Sequence, residues 1–225
     1  FNSPIISAQE LQDNLPLKNL IILDCTIDKV GKSIKDEELE LIPNSLFFDL
    51  EGKFSDHSSQ FPHTLVDEET FTKEAQHLGI NQDFIIVCYD RWGVYSSPRV
   101  WWMFKAMGHK EVYVLDGGLT LWQENNFDTT STYFQPNVKG NFIADFQSNW
   151  FADTQVMLNA INDESKMIID ARSEGRFKGT SPEPRQGLRS GHIPTSKNLF
   201  FENVLAGTTY KSKEELKSIF EKLTD

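Results

Sequence analysis

Short apolar runs alternate with amphipathic segments along the chain. Strands buried on both faces of a parallel sheet are typically continuous apolar runs, and such runs occupy residues 20–23, 46–48, 84–87 and 112–115. Helix signals fall between them. Ser7 and Glu10 form a capping box, a second helix is predicted from about residue 67 to Gly79, and a third follows Pro98 and stops at Gly108. The alternation predicts an α/β fold with a mainly parallel sheet flanked by helices.

The pattern restarts in the second half of the chain, after a polar and turn-rich stretch at residues 124–149 that we interpret as a surface linker. A predicted helix and the run MIIDAR repeat the order seen before IILDCT, with Asp24 and Asp170 lying 146 positions apart. Pro43 and Pro194 lie 151 apart in similar surroundings. This internal duplication predicts a domain at residues 1–123 and a second, incomplete domain at residues 150–225.

Composition narrows the classes of function. The 225 residues carry a net charge of −11, which argues against nucleic acid and anionic membranes as partners. No apolar run is long enough to span a bilayer, and the amino-terminal residues lack the pattern of a secretory signal. Cys25 and Cys88 both fall in strand-like runs, so we expect buried free cysteines and a cytoplasmic location. The five histidines lack metal-ligand spacing, so no metal or other cofactor is predicted.

One stretch differs from the acidic remainder. Residues 168–194 contain five cationic and three acidic side chains, a charge of +2, so that the rest of the chain sums to −13. A local excess of positive charge draws small anions, and two arginines at fixed spacing can hold a carboxylate or a sulfur oxyanion through paired N–H bonds. The alternative is that these arginines form ion pairs with Glu174 and Glu183 on a solvated loop.

These residues together resemble the tandem-rhodanese sulfurtransferases, and most closely their thiosulfate/3-mercaptopyruvate branch. The matching stretches are FFDLEGKFSDHSSQFPHTL, VCYDRWGVYSSPRVWWMFKAMGH, VYVLDGGLTLW and DARSEGRFKGTSPEPRQGLRSGHIP. The resemblance implies two rhodanese-like domains, each with a five-stranded parallel sheet, and an active cysteine in a loop of the second domain. In the first domain the corresponding loop is degenerate, with Asp90 in place of the cysteine and Arg99 as a structural residue that holds the loop.

The resemblance also assigns candidate site residues. Arg176 and Arg185 would bind the substrate carboxylate, and an arginine at position 185 favours 3-mercaptopyruvate over thiosulfate as the donor. His63, with Glu51 or Asp56 as its acidic companion, would be a catalytic group contributed by the first domain. The alternative for His63 is an ordinary surface-loop histidine.

The implied reaction moves a sulfane sulfur from a small anionic donor to a cysteine, and then to a thiol such as thioredoxin or a small thiol, or to cyanide. We expect the nucleophilic cysteine beyond Asp225, and therefore expect the 225 residues alone to be inactive. Two alternatives stay open: a non-catalytic rhodanese-like binding or regulatory module, and a phosphatase-like variant of the same fold. Retention of Arg176, Arg185 and His63 together favours the enzyme.

Overall fold

A five-stranded, wholly parallel sheet forms the centre of the first half of the chain. The computed structural model describes residues 1–29, 31–184 and 187–224, and the chain divides into compact units at residues 1–151 and 152–225. The sheet of the first unit has the strand order β1-β5-β4-β2-β3. Its strands are β1 (Ile5–Ile6), β2 (Leu20–Asp24), β3 (Ser45–Phe47), β4 (Ile85–Tyr89) and β5 (Val112–Leu115). The predicted α/β fold with a mainly parallel sheet is confirmed.

Four helices flank this sheet, and the first three begin where the sequence predicts their starts. They are α1 (Ala8–Asn14), α2 (Glu68–His77), α3 (Ser97–Ala106) and α4 (Gly118–Glu124). The capping box before α1 is present, with the Ser7 hydroxyl accepting from the Glu10 amide and the Glu10 carboxylate accepting from the Ser7 amide. Asp67 caps α2 through the amide of Thr70, and Pro98 lies in the first turn of α3.

Both faces of the sheet are covered. Alternate strand residues point to opposite faces, and the buried residues accordingly separate into two clusters. Leu23, Ile86 and Cys88 join one cluster together with side chains of α2 and α3. Ile22 and Val87 join the other, together with side chains of α1 and α4. This two-sided burial is the reason that the strands are continuous apolar runs.

The stretch predicted as a surface linker packs against the first unit. Phe142 is fully buried in the cluster that contains Phe71 and Phe104. Its amide donates to the carbonyl of Ile80 at 3.0 Å. The backbone passes so close to that carbonyl that a Cβ at Gly140 would lie 2.0 Å from its oxygen. The sequence signal was weak because one buried aromatic residue in a polar stretch has no period.

The second unit contains shorter elements. A parallel pair joins β6 (Ile169–Asp170) to β7 (Lys197–Asn198), and β8 (Leu205–Ala206) pairs antiparallel with β9 (Thr209–Tyr210). Its helices are α5 (Thr154–Ala160), α6 (Glu174–Lys178) and α7 (Lys213–Thr224), with a 3₁₀ turn at Phe201–Val204. A cap precedes α7, because Ser212 and Glu215 exchange hydrogen bonds. The tandem organisation and the predicted domain boundaries stay predictions.

Within the part of the chain that the structure describes, no helix combines the length and apolar character needed to cross a membrane.

Replacing Phe142 by alanine tests whether residues 125–151 belong to the first folded unit. We expect the free energy of unfolding to fall by about 3–5 kcal/mol, because the substitution opens a cavity beside Phe71 and Phe104. Urea unfolding followed by tryptophan fluorescence measures this. Val138→Ala is the matched control in the same stretch, since Val138 is 78% exposed and its truncation should change stability by less than about 0.5 kcal/mol. Equal effects of the two variants would show that the stretch is a linker.

Candidate active site

A buried carboxylate organises the loop that follows β4. Asp90 is fully buried, and its Oδ2 accepts hydrogen bonds from the amides of Tyr95, Ser96 and Ser97 at 2.8–3.0 Å. The Ser97 hydroxyl donates to the same oxygen at 2.7 Å, and the amide of Trp92 donates to Oδ1 at 3.0 Å. Donors that converge in this way at the start of α3 form a cradle for negative charge. In this loop the protein's own carboxylate occupies the cradle.

The neighbouring backbone leaves no room for looser packing around Asp90. The carbonyl of Asp90 accepts from the amide of Leu119 at 3.1 Å. Gly118 has φ +50°, and a Cβ at this position would lie 2.2 Å from the Asp90 carbonyl oxygen. Gly118, the second glycine of the GGLTLW stretch, is therefore required because the two backbones approach too closely to admit a Cβ. The position of the Asp90 loop is fixed by α4 as well as by its own hydrogen bonds.

Neither cysteine of the chain lies in this loop. Cys88 is a residue of β4 and Cys25 follows β2, and both are fully buried. Burial raises the pKa of the Cys25 thiol well above its usual range, and the adjacent Cys88 raises it further. A buried thiol with a raised pKa has little thiolate, which is the nucleophilic form. The expectation that both cysteines are buried core residues is met.

The end of β2 carries a second buried carboxylate. The hydroxyl of Tyr133 donates to Asp24 Oδ2 at 2.7 Å, and the amide of Thr26 donates to Oδ1 at 3.0 Å. Burial nevertheless raises the pKa of Asp24, because desolvation penalises its charged form more than these bonds favour it. Since Tyr133 belongs to the packed stretch after α4, that stretch covers part of the carboxyl edge of the sheet, where working loops of this fold class lie.

His63 is held by its backbone. Its φ is +56°, in the left-handed region, and its carbonyl accepts from Nη2 of Arg99 at 2.7 Å. Glu51 is the acid near its ring, with 4.0 Å between His63 Nε2 and Glu51 Oε1. The Asp56 carboxylate instead accepts from the amide and hydroxyl of Ser58.

Arg99 therefore acts on a different loop from the one that the sequence suggested. We predicted that it holds the Asp90 loop, whereas its recorded side-chain hydrogen bond goes to the His63 carbonyl. Its guanidinium also lies 4.6 Å from the centre of the Trp102 ring, and burial lowers the pKa of Arg99. The physical reason is its place in the first turn of α3, from which a long side chain reaches the loop that carries His63.

In the second unit, Arg176 and Arg172 share one acidic partner. Arg176 lies in α6, a helix within the predicted polar loop, and its Nη2 and Nε lie 2.6 and 3.0 Å from Glu183 Oε2. Arg172 Nη1 lies 2.9 Å from Glu183 Oε1. The two guanidinium groups, that of Arg176 foremost, lower the pKa of Glu183. Arg185, the other predicted substrate-binding residue, lies outside the described residues.

The alternative considered for this stretch was that its arginines form ion pairs with Glu174 and Glu183. An ion pair between Arg176 and Glu183 is present, whereas Glu174 pairs with Lys178, at 2.5 Å. Pairing does not remove Arg176 from contact with solvent, since its side chain is 32% exposed. Sequence reasoning missed that Glu183 joins two arginines. The available signal was its position between Pro182 and Pro184, which restrict the backbone on both sides. Across the described ranges, no group of three or more potential metal ligands comes together.

The chain is similar to known proteins over most of its length. Residues 7–125 match the model of the rhodanese-like domain. The chain is 36% identical to the 3-mercaptopyruvate sulfurtransferase of Rattus norvegicus, over 96% of the chain and 76% of that protein. The chain belongs to the thiosulfate/3-mercaptopyruvate sulfurtransferase family.

Other members of the family give the same picture. The mitochondrial thiosulfate/3-mercaptopyruvate sulfurtransferase 1 of Arabidopsis thaliana is 36% identical over 98% of the chain, which spans 64% of that relative's length. The crystal structure of SseA from Escherichia coli, described with the rhodanese fold of 3-mercaptopyruvate sulfotransferases, has a TM-score of 0.87. It is 31% identical and is matched over 98% of this chain and 84% of its own. The family and the α/β rhodanese fold with a mainly parallel sheet are confirmed, whereas the two-domain organisation and the roles of individual residues stay predictions.

Asp90→Asn tests the cradle. The variant keeps the size of the side chain but removes its charge and turns an NH₂ group toward converging donors. We expect a loss of about 3 kcal/mol in the free energy of unfolding, because charged hydrogen bonds are the strong ones and buried donors are left unpaired. Chemical denaturation measures it. Asp83→Asn, an exposed site before β4, is the control and should be nearly neutral. A neutral Asp90→Asn would mean that the loop does not depend on the carboxylate.

Proposed function

We propose that this protein transfers a sulfane sulfur from 3-mercaptopyruvate, or from thiosulfate, through a cysteine persulfide to a thiol or to cyanide. The observation that carries the proposal is family membership, with sulfurtransferases as relatives at 36% identity over almost the whole chain. The positive stretch around Arg176 supports an anionic donor. Thioredoxin or a small thiol is the proposed acceptor, and the proposed location is the cytoplasm.

The proposed chemistry has two balanced steps. A thiolate attacks the sulfur of the donor, and the bond from that sulfur to the rest of the donor breaks. The electron pair of that bond leaves with the remainder of the donor, as the enolate of pyruvate, which takes up a proton, or as sulfite. The sulfur stays on the enzyme as a persulfide. An acceptor thiolate then attacks the outer sulfur, and the enzyme thiolate leaves. A carboxylate cannot take this part, because a hard oxygen nucleophile does not hold a sulfane sulfur. Asp90 is therefore proposed as a structural residue of a loop that performs no sulfur transfer.

Neither Cys25 nor Cys88 suits the nucleophile, since both thiols are enclosed by the core of the first unit. We propose that the persulfide forms on a cysteine outside these 225 residues. His63, beside Glu51, is proposed as a catalytic group of the first unit, and Arg176 with Arg185 as residues that bind the donor's carboxylate. Each of these roles rests on the family resemblance together with the residue's identity.

A second function is favoured by one observation. The first unit keeps the complete anion cradle of its loop but fills it with Asp90, so this unit by itself has the features of a non-catalytic rhodanese-like binding module. Such a module would bind a partner and leave sulfur chemistry to another protein. Absence of activity in the natural protein would favour this reading.

Sulfide release decides between these functions. We expect the natural protein that carries this sequence to release sulfide from 3-mercaptopyruvate in the presence of dithiothreitol, and Cys88→Ser to keep that activity because Cys88 is a core residue. The 225 residues alone should release none. The methylene blue assay for sulfide measures all three.

Two outcomes would contradict the proposal. Turnover by the 225 residues that is abolished by Cys88→Ser would make Cys88 the nucleophile. A folded natural protein without activity toward either donor would favour the binding module. Circular dichroism of each sample shows whether a loss of activity reflects a loss of fold.

A further inference from the structure

One acidic side chain stands between two arginines in the second unit. The side chain of Glu183 is 3% exposed, and each of its oxygens meets a different guanidinium group. Removing a carboxylate from water is costly unless it is paired and hydrogen-bonded. Both arginines therefore stabilise the shielded carboxylate of Glu183. In return, the carboxylate fixes the position of each guanidinium.

Arg172 connects Glu183 to the end of strand β6. Arg172 Nε lies 3.0 and 3.1 Å from the two carboxylate oxygens of Asp170, the last residue of β6, and its Nη2 lies 2.5 Å from one of them. Arg172 also donates to the carbonyl of Gly191 at 2.7 Å. A continuous series of charged hydrogen bonds thus runs from Asp170 through Arg172 and Glu183 to Arg176. The end of a strand, rather than a flexible side chain alone, sets the position of the Arg176 guanidinium.

The bonds to Glu183 use one side of the Arg176 group. A guanidinium has five N–H donors and can offer either its Nε–Nη2 side or its Nη1–Nη2 end to a carboxylate. Glu183 takes the Nε–Nη2 side. The contacts recorded among the described residues leave the Nη1–Nη2 end for a ligand, and the side chain is 32% exposed. The four groups Asp170, Arg172, Glu183 and Arg176 also sum to zero charge, so orientation rather than excess charge is what this set provides.

We propose that Glu183 is a positioning residue that holds Arg176 from the side and presents its Nη1–Nη2 end to the planar carboxylate of a small 2-oxo acid. The inference rests on the proposed function, in which Arg176 binds the donor's carboxylate. It goes further by assigning Glu183 a role in ligand affinity and by making Arg172 the link that transmits the position of β6. A guanidinium fixed in advance loses less conformational freedom on binding.

Pyruvate binding to the natural protein that carries this sequence tests the inference, because pyruvate carries the carboxylate and the oxo group but no transferable sulfur. Its Kd is measured by NMR titration for the wild type and for Glu183→Gln, which keeps the shape and removes the charge. We expect the Kd to rise about tenfold, as when one charge-assisted hydrogen bond is lost. Glu174→Gln is the matched control, since Glu174 pairs with Lys178 on the exposed side of α6 and its substitution should leave the Kd unchanged.

A second readout separates positioning from a general loss of structure. In the wild type, the Nε–H signal of Arg176 should be protected from exchange, and in Glu183→Gln it should lose protection while the backbone amide spectrum is kept. Arg172→Lys, which preserves charge but cannot form the paired bonds, should weaken pyruvate binding in the same direction. If Glu183→Gln does not fold, Arg172→Lys and the wild-type Nε–H signal still decide the question.

The outcomes are distinct. Pyruvate binding by the wild type that Glu183→Gln leaves equal or makes tighter would overturn the inference and show that Glu183 competes with the ligand for Arg176. A folded wild-type chain that does not bind pyruvate would refute the ligand assignment of Arg176 in the proposed function, and the inference with it. In the natural protein, Glu183→Gln should raise the KM for 3-mercaptopyruvate and leave kcat unchanged. The reason is that a residue that positions Arg176 for binding acts equally on the ground state and on the transition state.

Discussion

Carboxylates that are shielded from water constrain the loops of this chain, because each of them must meet several donors at fixed positions. Asp90 meets them in the backbone of its own loop, Asp24 in Thr26 and Tyr133, and Glu183 in two arginines. The three carboxylates lie at or after the carboxyl ends of parallel strands, or in the loop that follows one. Their partners hold together segments that are distant in sequence, and so they determine where the loops at those strand ends are placed.

The same requirement gives two different kinds of loop. Around Asp90 four of the five donors are backbone amides, and those of Ser96 and Ser97 cannot move without disturbing the start of α3, so the carboxylate is held at a fixed position. Around Glu183 the donors are side chains of Arg172 and Arg176, and guanidinium groups have donors to spare. The first arrangement closes a cradle to external anions. The second keeps a cationic group oriented and partly exposed, which suits binding.

Local rules predicted much of the fold from sequence. The helix starts at Ser7 and Asp67 depend on residues three apart, and the strands are apolar runs, so both signals are read without knowledge of distant contacts. Contacts that depend on distant residues were not predicted. The burial of Phe142 comes from the groove that Ile80 and the surrounding aromatic residues provide, and the two-residue strand β1 forms only because β5 offers an edge.

The candidate site shows the same difference between features that are visible in the sequence and contacts that depend on distant residues. The positive stretch that contains Arg176 is visible from residue types alone, whereas His63 and Asp90 were assigned through the family resemblance. Their partners were not visible: Arg99 binds the carbonyl of His63, and Glu183 joins Arg172 to Arg176. Which donor meets which acceptor depends on where the backbone brings side chains together, and the helix α6 inside the predicted loop is what turns Arg176 toward Glu183.

The cysteine thiols and the hydrogen-bonded charged groups of this chain lie in different surroundings. Both cysteines lie in the apolar interior, and burial raises the pKa of the Cys25 thiol, while Arg176 lies in α6 with its side chain partly exposed. A sulfur-transfer nucleophile needs the opposite surroundings, with converging N–H donors that stabilise a thiolate. The Asp90 loop shows that this protein's first sheet can build such surroundings, since five hydrogen bonds meet one carboxylate there. In this loop the donors converge on an oxygen of Asp90, so the negative charge that they stabilise belongs to a carboxylate and not to a sulfur nucleophile.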